Sequence, residues 1–500
     1  MVNIREIVLN ILMEYDKKGV YKPAILKDSL EKYDYLETRD KAFIKRVTDG
    51  CLERKLQIDY ILDQFSKTPV NKMQPLIRSL LRMSVYQIMF MDQVPDSAAC
   101  NEAVKLAAKH KFAGLKGFVN GVLRNISRNK DKIEYPDIKK DGGAEYLSVY
   151  YSMPRWICDM WLTRFGLEKT KAMLEFFLQP RPTIIRVKTE NREDKKLSDD
   201  KLKAEHIKQA VDSLKKQFED AGAVVQKNEI LPFALELEKI DNIRFLPGYD
   251  EGLFTVQDVS SMLVTEIADP KPGENVIDIC SAPGGKTTHA AERVKLDTDR
   301  TAKTNNEDTA VEKAVLNDNS GVVLARDVSE RKCDLIRENA ERLQLSNIMT
   351  EVHDARIHDE NLEGKADILY MDLPCSGLGI IGRKGDIKYN ASPKSLSEVE
   401  KLQWEIIKSS WDYVKPGGIL MYSTCTVNQA ENEKMVERII EQLPFERVDI
   451  TDKLPKSLTD KTFGSDSATR IKNDAKHGFI QLLPGECGTD GFFIAKLKRV

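Results

Sequence analysis

Val276-Ile-Asp-Ile-Cys-Ser-Ala-Pro-Gly-Gly-Lys286 is the stretch that decides the fold. Val276–Ile279 is apolar apart from one aspartate, as in a strand covered on both faces. Small residues follow, and a helical pattern opens near Thr287. Strand, tight turn and helix in that order make the first βα unit of a nucleotide-type site. Gly284 and Gly285 let the backbone come close to a ligand, and the helix start offers free N–H groups. The stretch is neither G-x-G-x-x-G nor a phosphate-binding loop. Taken alone, two glycines are better read as a structural turn.

Downstream the pattern repeats. Val322–Ala325, Met349–His353, Asp367–Met371 and Ile419–Tyr422 read as strands separated by helices, the alternation of a doubly wound, mostly parallel sheet. Three of these strands end on acids: Asp327, Asp354 and Asp372. Any single one is better read as a helix cap. Three in register with the glycine turn line one edge of the sheet, and a carboxylate at the place of Asp327 commonly binds ribose hydroxyls. Two cysteines share that edge. Cys375 follows the Asp372 strand and Cys425 follows the next. A thiolate there can attack an electrophilic carbon. Cys51, Cys100, Cys158, Cys333 and Cys487 read as buried structural residues. With no CxxC pair and no HExxH among six histidines, no metal is expected, and reduced thiols fit a cytosolic protein.

Upstream, residues 1–130 are helical. Ile4, Ile7, Val8, Ile11 and Leu12 recur at helical spacing, as do Leu76, Ile77, Leu80, Leu81, Val85 and Ile88. Asp96 and Ser97 are cap candidates for a helix over Ala98–Ala108, and Gly114–Asn125 forms a last short helix. A polar linker, Asp137–Gly143, leads to a helix from Pro154 with Trp156, Ile157, Met160 and Trp161 on one face. Thr183–Val187, Leu231–Leu237 and Leu253–Val256 read as strands and Ile207–Ala221 as a helix, a small α+β segment. Two polar inserts, Glu190–Lys203 and Lys295–Ser320, read as surface loops. The expected domains are 1–135, 145–255 and 256–500.

The chain has 500 residues, 41% hydrophobic and 31% charged, an ordinary globular balance. No apolar run has the length of a membrane span. Net charge is −2, but residues 1–140 carry 26 Lys/Arg against 18 Asp/Glu, a surplus of +8, and the rest carries −10. A basic first domain points to a polyanion; a solvated helical surface is an equal reading of charge alone.

Taken together, the motifs resemble the bacterial RNA cytosine-C5 methyltransferases of the RsmB/Sun/Fmu family, which use S-adenosylmethionine. The resembling segments are Ser152-Met-Pro-Arg-Trp156, Val256-Gln-Asp-Val-Ser-Ser261, Cys280–Lys286, Asp372-Leu-Pro-Cys-Ser-Gly-Leu-Gly379, Asp386-Ile-Lys388, Ser423-Thr-Cys425 and Asp490-Gly-Phe-Phe493. Ala103-Val-Lys-Leu-Ala107 and Val119-Asn-Gly-Val-Leu-Arg124 are similar to the NusB-type RNA-binding helical domain. The resemblance covers nearly the whole chain. It implies a multidomain protein: an all-α NusB-like N-terminal domain, a small α+β linker domain and an α/β Rossmann-like methyltransferase domain.

The resemblance also implies residue roles. Cys425 is the nucleophile toward C6 of the base, and Cys375 assists release by taking part in proton removal. Asp372 binds the base edge near N3. Lys286 lowers a thiolate pKa or binds ribose or phosphate. S-adenosylmethionine is held by Cys280, Ser281, Ala282, Pro283, Gly284, Gly285, Lys286, Asp327, Asp354 and Asp372. The target base must be unpaired or flipped out. Arg383, Lys384 and Lys388 either hold the flanking RNA backbone or form a solvated basic loop. The implied partner is small-subunit ribosomal RNA, naked or partly assembled, met by a monomer with no membrane. The alternatives are transfer RNA or large-subunit RNA as substrate, an RNA-binding assembly factor, or a thiol redox enzyme.

Overall fold

The computed structural model describes residues 3–18, 23–140, 142–189, 200–240, 242–296 and 321–500. The insert expected at Glu190–Lys203 lies outside these residues up to position 199, and Asp200 already opens the helix Asp200–Asp220. The insert at Lys295–Ser320 lies outside them from position 297. By packing, the chain forms two units: Met1–Gln179 with Ile381–Ser392, and Pro180–Ile380 with Pro393–Val500. Among the described residues no helix is long and apolar enough to cross a membrane.

The first unit is helical throughout its described part. Its central helix, Pro75–Phe90, starts on a proline whose missing N–H would have had no partner there. Leu76, Ile77, Leu80, Leu81, Val85 and Ile88 are all buried, as their spacing requires. Ser84 and Gln87 are buried too, so they need partners. Ser84 Oγ donates to the Leu80 carbonyl at 2.8 Å, and Gln87 Nε2 to that of Met83 at 3.0 Å. Asp96 is not a cap. It is the first residue of the helix Asp96–Lys109, and its carboxylate accepts from Ser127 Oγ at 2.7 Å and pairs with Lys130 at 2.9 Å. The last short helix runs over Lys116–Arg128. Gly143–Tyr150 and Arg155–Phe177 also belong to this unit, so packing does not divide the chain at 135–145.

The second unit begins with an antiparallel sheet of β1 (Thr183–Val187), β2 (Val224–Lys227), β3 (Ala234–Glu238) and β4 (Phe254–Val256), in the order β2-β3-β1-β4. Ile184, Ile185 and Phe254 share one apolar core with Val259, Met262 and Val276, so there is no break at 255 either. The large sheet contains β5 (Val276–Asp278), β6 (Val323–Asp327), β7 (Ile348–Val352), β8 (Ala366–Asp372) and β9 (Val414–Thr424). These five are parallel, in the order β7-β6-β5-β8-β9. Their side chains alternate between two cores. Val276, Val323, Ile368, Tyr370 and Met421 enter one, while Ile277, Leu324, Leu369, Met371, Leu420 and Tyr422 enter the other. A strand buried on both faces therefore reads as one apolar run. Burial of each such large side chain contributes about 1.5–3 kcal/mol.

The sheet continues beyond the expected strands. β12 (Phe492–Arg499) lies antiparallel to β9, and β10 (Phe445–Arg447) and β11 (Phe479–Leu482) pair with β12.

Candidate active site

The strand order reverses at β5, and the first βα turn sits there. Asp278 ends β5 fully buried, and its carboxylate accepts from Thr287 Oγ1 at 2.7 Å. This bond ties the strand end to the helix Gly285–Val294. Burial raises the Asp278 carboxyl to about 7. The turn needs its glycine: Gly284 has φ +99, where a side chain is strained. The turn is also stitched to β6. The Ser281 N–H and Oγ both donate to the Arg326 carbonyl, at 3.0 and 2.8 Å, and the Ala282 N–H donates to Asp327 Oδ2 at 3.0 Å. Asp327 Oδ1 accepts from the Val328 N–H at 2.7 Å and from Lys332 Nζ at 2.8 Å. Cys280 is half-buried, and burial pushes its thiol up. Ala282–Pro283 is a cis peptide.

Asp354 follows β7, but its carboxylate is held by Arg356 at 2.6 Å. That hydrogen bond draws the carboxyl down to about 2. The acid therefore lies on the expected sheet edge with a partner two residues away.

The two cysteine loops are brought together by sheet register. β8 and β9 are neighbours with Asp372 opposite Ser423. Ser423 Oγ donates to Asp372 Oδ1 at 2.7 Å, and Lys286 Nζ donates to Asp372 Oδ2 at 2.6 Å. Lys286 thus acts on the acid, with its ammonium 5.3 Å from the centre of the Phe492 ring. Just beyond, Cys375 Sγ lies 3.2 Å from Cys425 Sγ. Both are half-buried, whereas Cys51, Cys100, Cys158, Cys333 and Cys487 are buried as expected. The Cys425 sulfur is the largest cause holding Cys375 well above the ordinary thiol range, followed by burial and the Glu431 and Asp372 charges.

Some motif residues here have no role assigned from the sequence, and Glu431 is not singled out by it at all. Gly379 must be glycine because a Cβ would lie 2.1 Å from the Gly491 carbonyl oxygen and 2.9 Å from that of Cys425. The Gly379 N–H donates to the Cys425 carbonyl at 3.1 Å, and the Gly491 N–H to that of Gly379 at 2.8 Å. Glu431 is fully buried and accepts from the Ser376 N–H at 2.8 Å. The Val256–Ser261 motif supports the glycine turn. Gln257 accepts from buried Arg186 at 2.8 Å and lies 3.5 Å from the Cβ position of Gly285, and Asp258 caps the helix Val259–Ala268.

The basic residues after the Pro-Cys loop behave differently from either expectation at one position. Lys388 is neither solvated nor open to RNA. It is 3% exposed and donates at 2.7 Å each to the carbonyl of Glu53, which ends the helix Thr38–Glu53, and to that of Ser152 in the turn after the helix Gly143–Tyr150. Arg383 and Lys384 line a cavity of about 710 Å³ in the helical unit. Among the described residues, exposed His358 and Glu363 and half-buried Asp412 form one group of metal-type atoms. Both ring nitrogens of His358 are engaged, Nδ1 with the Ser409 carbonyl at 2.8 Å and Nε2 with Glu363 at 2.9 Å.

Comparison with known proteins gives this site a family. Residues 308–498 match the family described as 16S rRNA methyltransferase RsmB/F, and residues 2–128 match the NusB family. The chain is 32% identical over 502 residues to the probable ribosomal RNA small subunit methyltransferase B of Bacillus subtilis (strain 168), covering 99% of each. The chain belongs to the RsmB/F family. The RsmB/F relative named ribosomal RNA small subunit methyltransferase B in Cronobacter sakazakii is 27% identical over 503 residues, covering 100% of this chain and 99% of its own. The crystal structure of PH0851 shares the fold, with a TM-score of 0.71, 23% identity, and coverage of 100% of this chain and 99% of that one. The helical first domain and Rossmann-like sheet of this RsmB/F chain are therefore those of a multidomain methyltransferase.

Proposed function

We propose that the chain methylates C5 of a cytosine in small-subunit ribosomal RNA, using S-adenosylmethionine, through a covalent bond between Cys425 and C6. The observation that carries this reading is the 3.2 Å sulfur pair beside the Lys286–Asp372–Ser423 cluster. The names of the relatives support the RNA class, and the basic front domain agrees with it.

The glycine turn fits the methyl donor. A carboxylate oxygen accepts two hydrogen bonds, and Asp327 Oδ2 takes one from Ala282, which leaves room for a ribose hydroxyl. Residues Cys280–Lys286, Asp327 and Asp372 would hold the group, with Asp354 contributing if Arg356 yields it. When bound, S-adenosylmethionine supplies an electrophilic methyl carried on a sulfonium.

C5 of cytosine is a weak nucleophile. Attack of the Cys425 thiolate at C6 makes C5 enamine-like and able to take the methyl. Asp372, held by Lys286 and Ser423, faces the base edge near N3, where a proton delivered by Asp372 or by the Lys286 ammonium beside it neutralises the negative charge that attack puts on the ring. Cys425 gives up its proton to solvent as it attacks, and Cys375, held above the ordinary thiol range, stays protonated beside it. Once Cys425 is a thioether, the main cause holding that proton is gone. Cys375 then gives its proton to solvent and takes the C5 proton. The C6–S bond breaks, and its electron pair returns to Cys425 as thiolate.

The test is to incubate the protein with tritiated S-adenosylmethionine and unmodified small-subunit RNA and to digest the product to nucleosides. Label in 5-methylcytidine is expected. Label in another nucleoside, or only in transfer or large-subunit RNA, overturns the reading.

A further inference from the structure

Residues 373–377, which carry Cys375, have no regular secondary structure. Their shape is set by side chains from outside the loop. Gln403 Nε2 donates to the Pro374 carbonyl at 2.9 Å, on one side of Cys375. On the other side, Glu431 Oε2 accepts from the Ser376 N–H at 2.8 Å and Oε1 accepts from Ser376 Oγ at 2.5 Å. Asn428 Nδ2 donates to Oε1 at 2.9 Å and Gln403 Nε2 to Oε2 at 3.3 Å. Four donors on two oxygens fill an ionised carboxylate. Ser376 Oγ is also 2.8 Å from Thr426 Oγ1, the hydroxyl next to Cys425. The Glu431 carboxylate thus fixes the main chain beside Cys375, and the Ser376 hydroxyl that it holds reaches the Thr426 hydroxyl next to Cys425.

A fully buried carboxylate is costly to keep unless its hydrogen bonds are complete. An amide or apolar side chain could fill the same space. What the carboxylate alone supplies is two acceptor oxygens facing donors of a loop that would otherwise be loose.

We propose that Glu431 is a positioning residue for base release, fixing the Cys375 loop so that its thiol faces the Cys425 adduct. This rests on the two-cysteine reading above. Cys425 directly follows β9 and its carbonyl accepts from the Gly379 N–H, so its own main-chain anchor does not include Glu431. Loss of Glu431 therefore spares attack and methyl transfer but slows removal of the C5 proton, and RNA stays bonded to Cys425.

The experiment compares full-length wild type, Cys375→Ala, Glu431→Gln and Glu431→Ala with small-subunit RNA and S-adenosylmethionine. It reads methyl transfer in a single turnover, RNA–protein adduct resistant to denaturant, and donor affinity. Glu431→Gln keeps one acceptor oxygen, so it should raise the adduct about tenfold over wild type, the effect of one charge-assisted hydrogen bond. Glu431→Ala should raise it further. Single-turnover transfer and donor affinity should stay within about twofold of wild type, the margin expected when the interactions made before release are untouched. If Cys375→Ala accumulates adduct and neither Glu431 variant does, the proposal falls alone. If both Glu431 variants lose donor binding, Glu431 is a folding residue and the proposal falls. If Cys375→Ala forms no adduct, the two-cysteine reading falls and takes this one with it.

Discussion

Lys388 gives the account a prediction with a magnitude. Its ammonium nitrogen is buried against the Glu53 and Ser152 carbonyls, and burial lowers its pKa from 10.5 to about 7. The unfolded chain keeps its lysine protonated up to about pH 10.4. Between these two values the unfolded state binds more protons than the folded one, so stability rises with pH. Below about 7 the lysine is charged in both states and the burial cost is complete. Above the unfolded value it is neutral in both and the cost is gone. The steepest slope for one proton is about 1.4 kcal/mol per pH unit. The stability of wild type minus that of Lys388→Met should therefore rise by about 2–3 kcal/mol from pH 7.5 to 9.5. Taking the difference removes titrations common to both proteins. The groups whose charge bears on Lys388 are Glu53, Arg54 and Cys158, and burial holds the Cys158 thiol at about 12, above that window. Urea unfolding followed by circular dichroism at several pH values measures the difference. A flat difference would show that Lys388 keeps its proton in the folded chain, and would refute the reasoning.

Gly379→Ala places a Cβ against the Gly491 and Cys425 carbonyl oxygens. Overpacking of this kind costs about 1–3 kcal/mol, and a catalytic group moved by about 1 Å loses about 100-fold in rate. Thermal unfolding and methyl transfer, measured side by side, should show the small stability loss and the large rate loss; wild-type activity would contradict the backbone clamp. Peroxide should inactivate the protein by converting one of Cys375 and Cys425 to a sulfenic acid, which the other thiolate closes to a disulfide with loss of water. The sulfurs are 3.2 Å apart and need to approach to about 2.05 Å. Peptide mapping should find that bond, and a thiol reductant should restore activity; inactivation with no Cys375–Cys425 bond would contradict the pairing.

Much of the site was legible because parallel strands covered on both faces announce themselves as apolar runs. Where such a run ends, the next residues must lie at the ligand edge. That logic found Asp327 and Asp372 and set Cys375 beside Cys425. It could not see that Arg356 holds Asp354, since two residues of loop carry no periodicity. Nor could it find Glu431 or Gln403, which reach Ser376 and Pro374 across 55 and 29 residues of sequence. Lys388 was misread because its neighbours Arg383 and Lys384 make the segment look solvated. Its partners are the Glu53 and Ser152 carbonyls, far upstream. β12 escaped because it ends in charged residues at Lys496, Lys498 and Arg499 and pairs antiparallel, outside the βαβ rhythm. The helix from Pro154 was read with the α+β segment because a polar linker precedes it, although by packing it belongs to the helical unit.

The central claim is that Cys425 bonds to the base and Cys375 frees it. The most direct measurement is to trap Cys375→Ala with labelled small-subunit RNA and S-adenosylmethionine, digest it, and sequence the peptide that carries the nucleotide. The account predicts a methylated cytosine on Cys425, and no such peptide from Cys425→Ala. An adduct on another residue, or full turnover by Cys425→Ala, would contradict it.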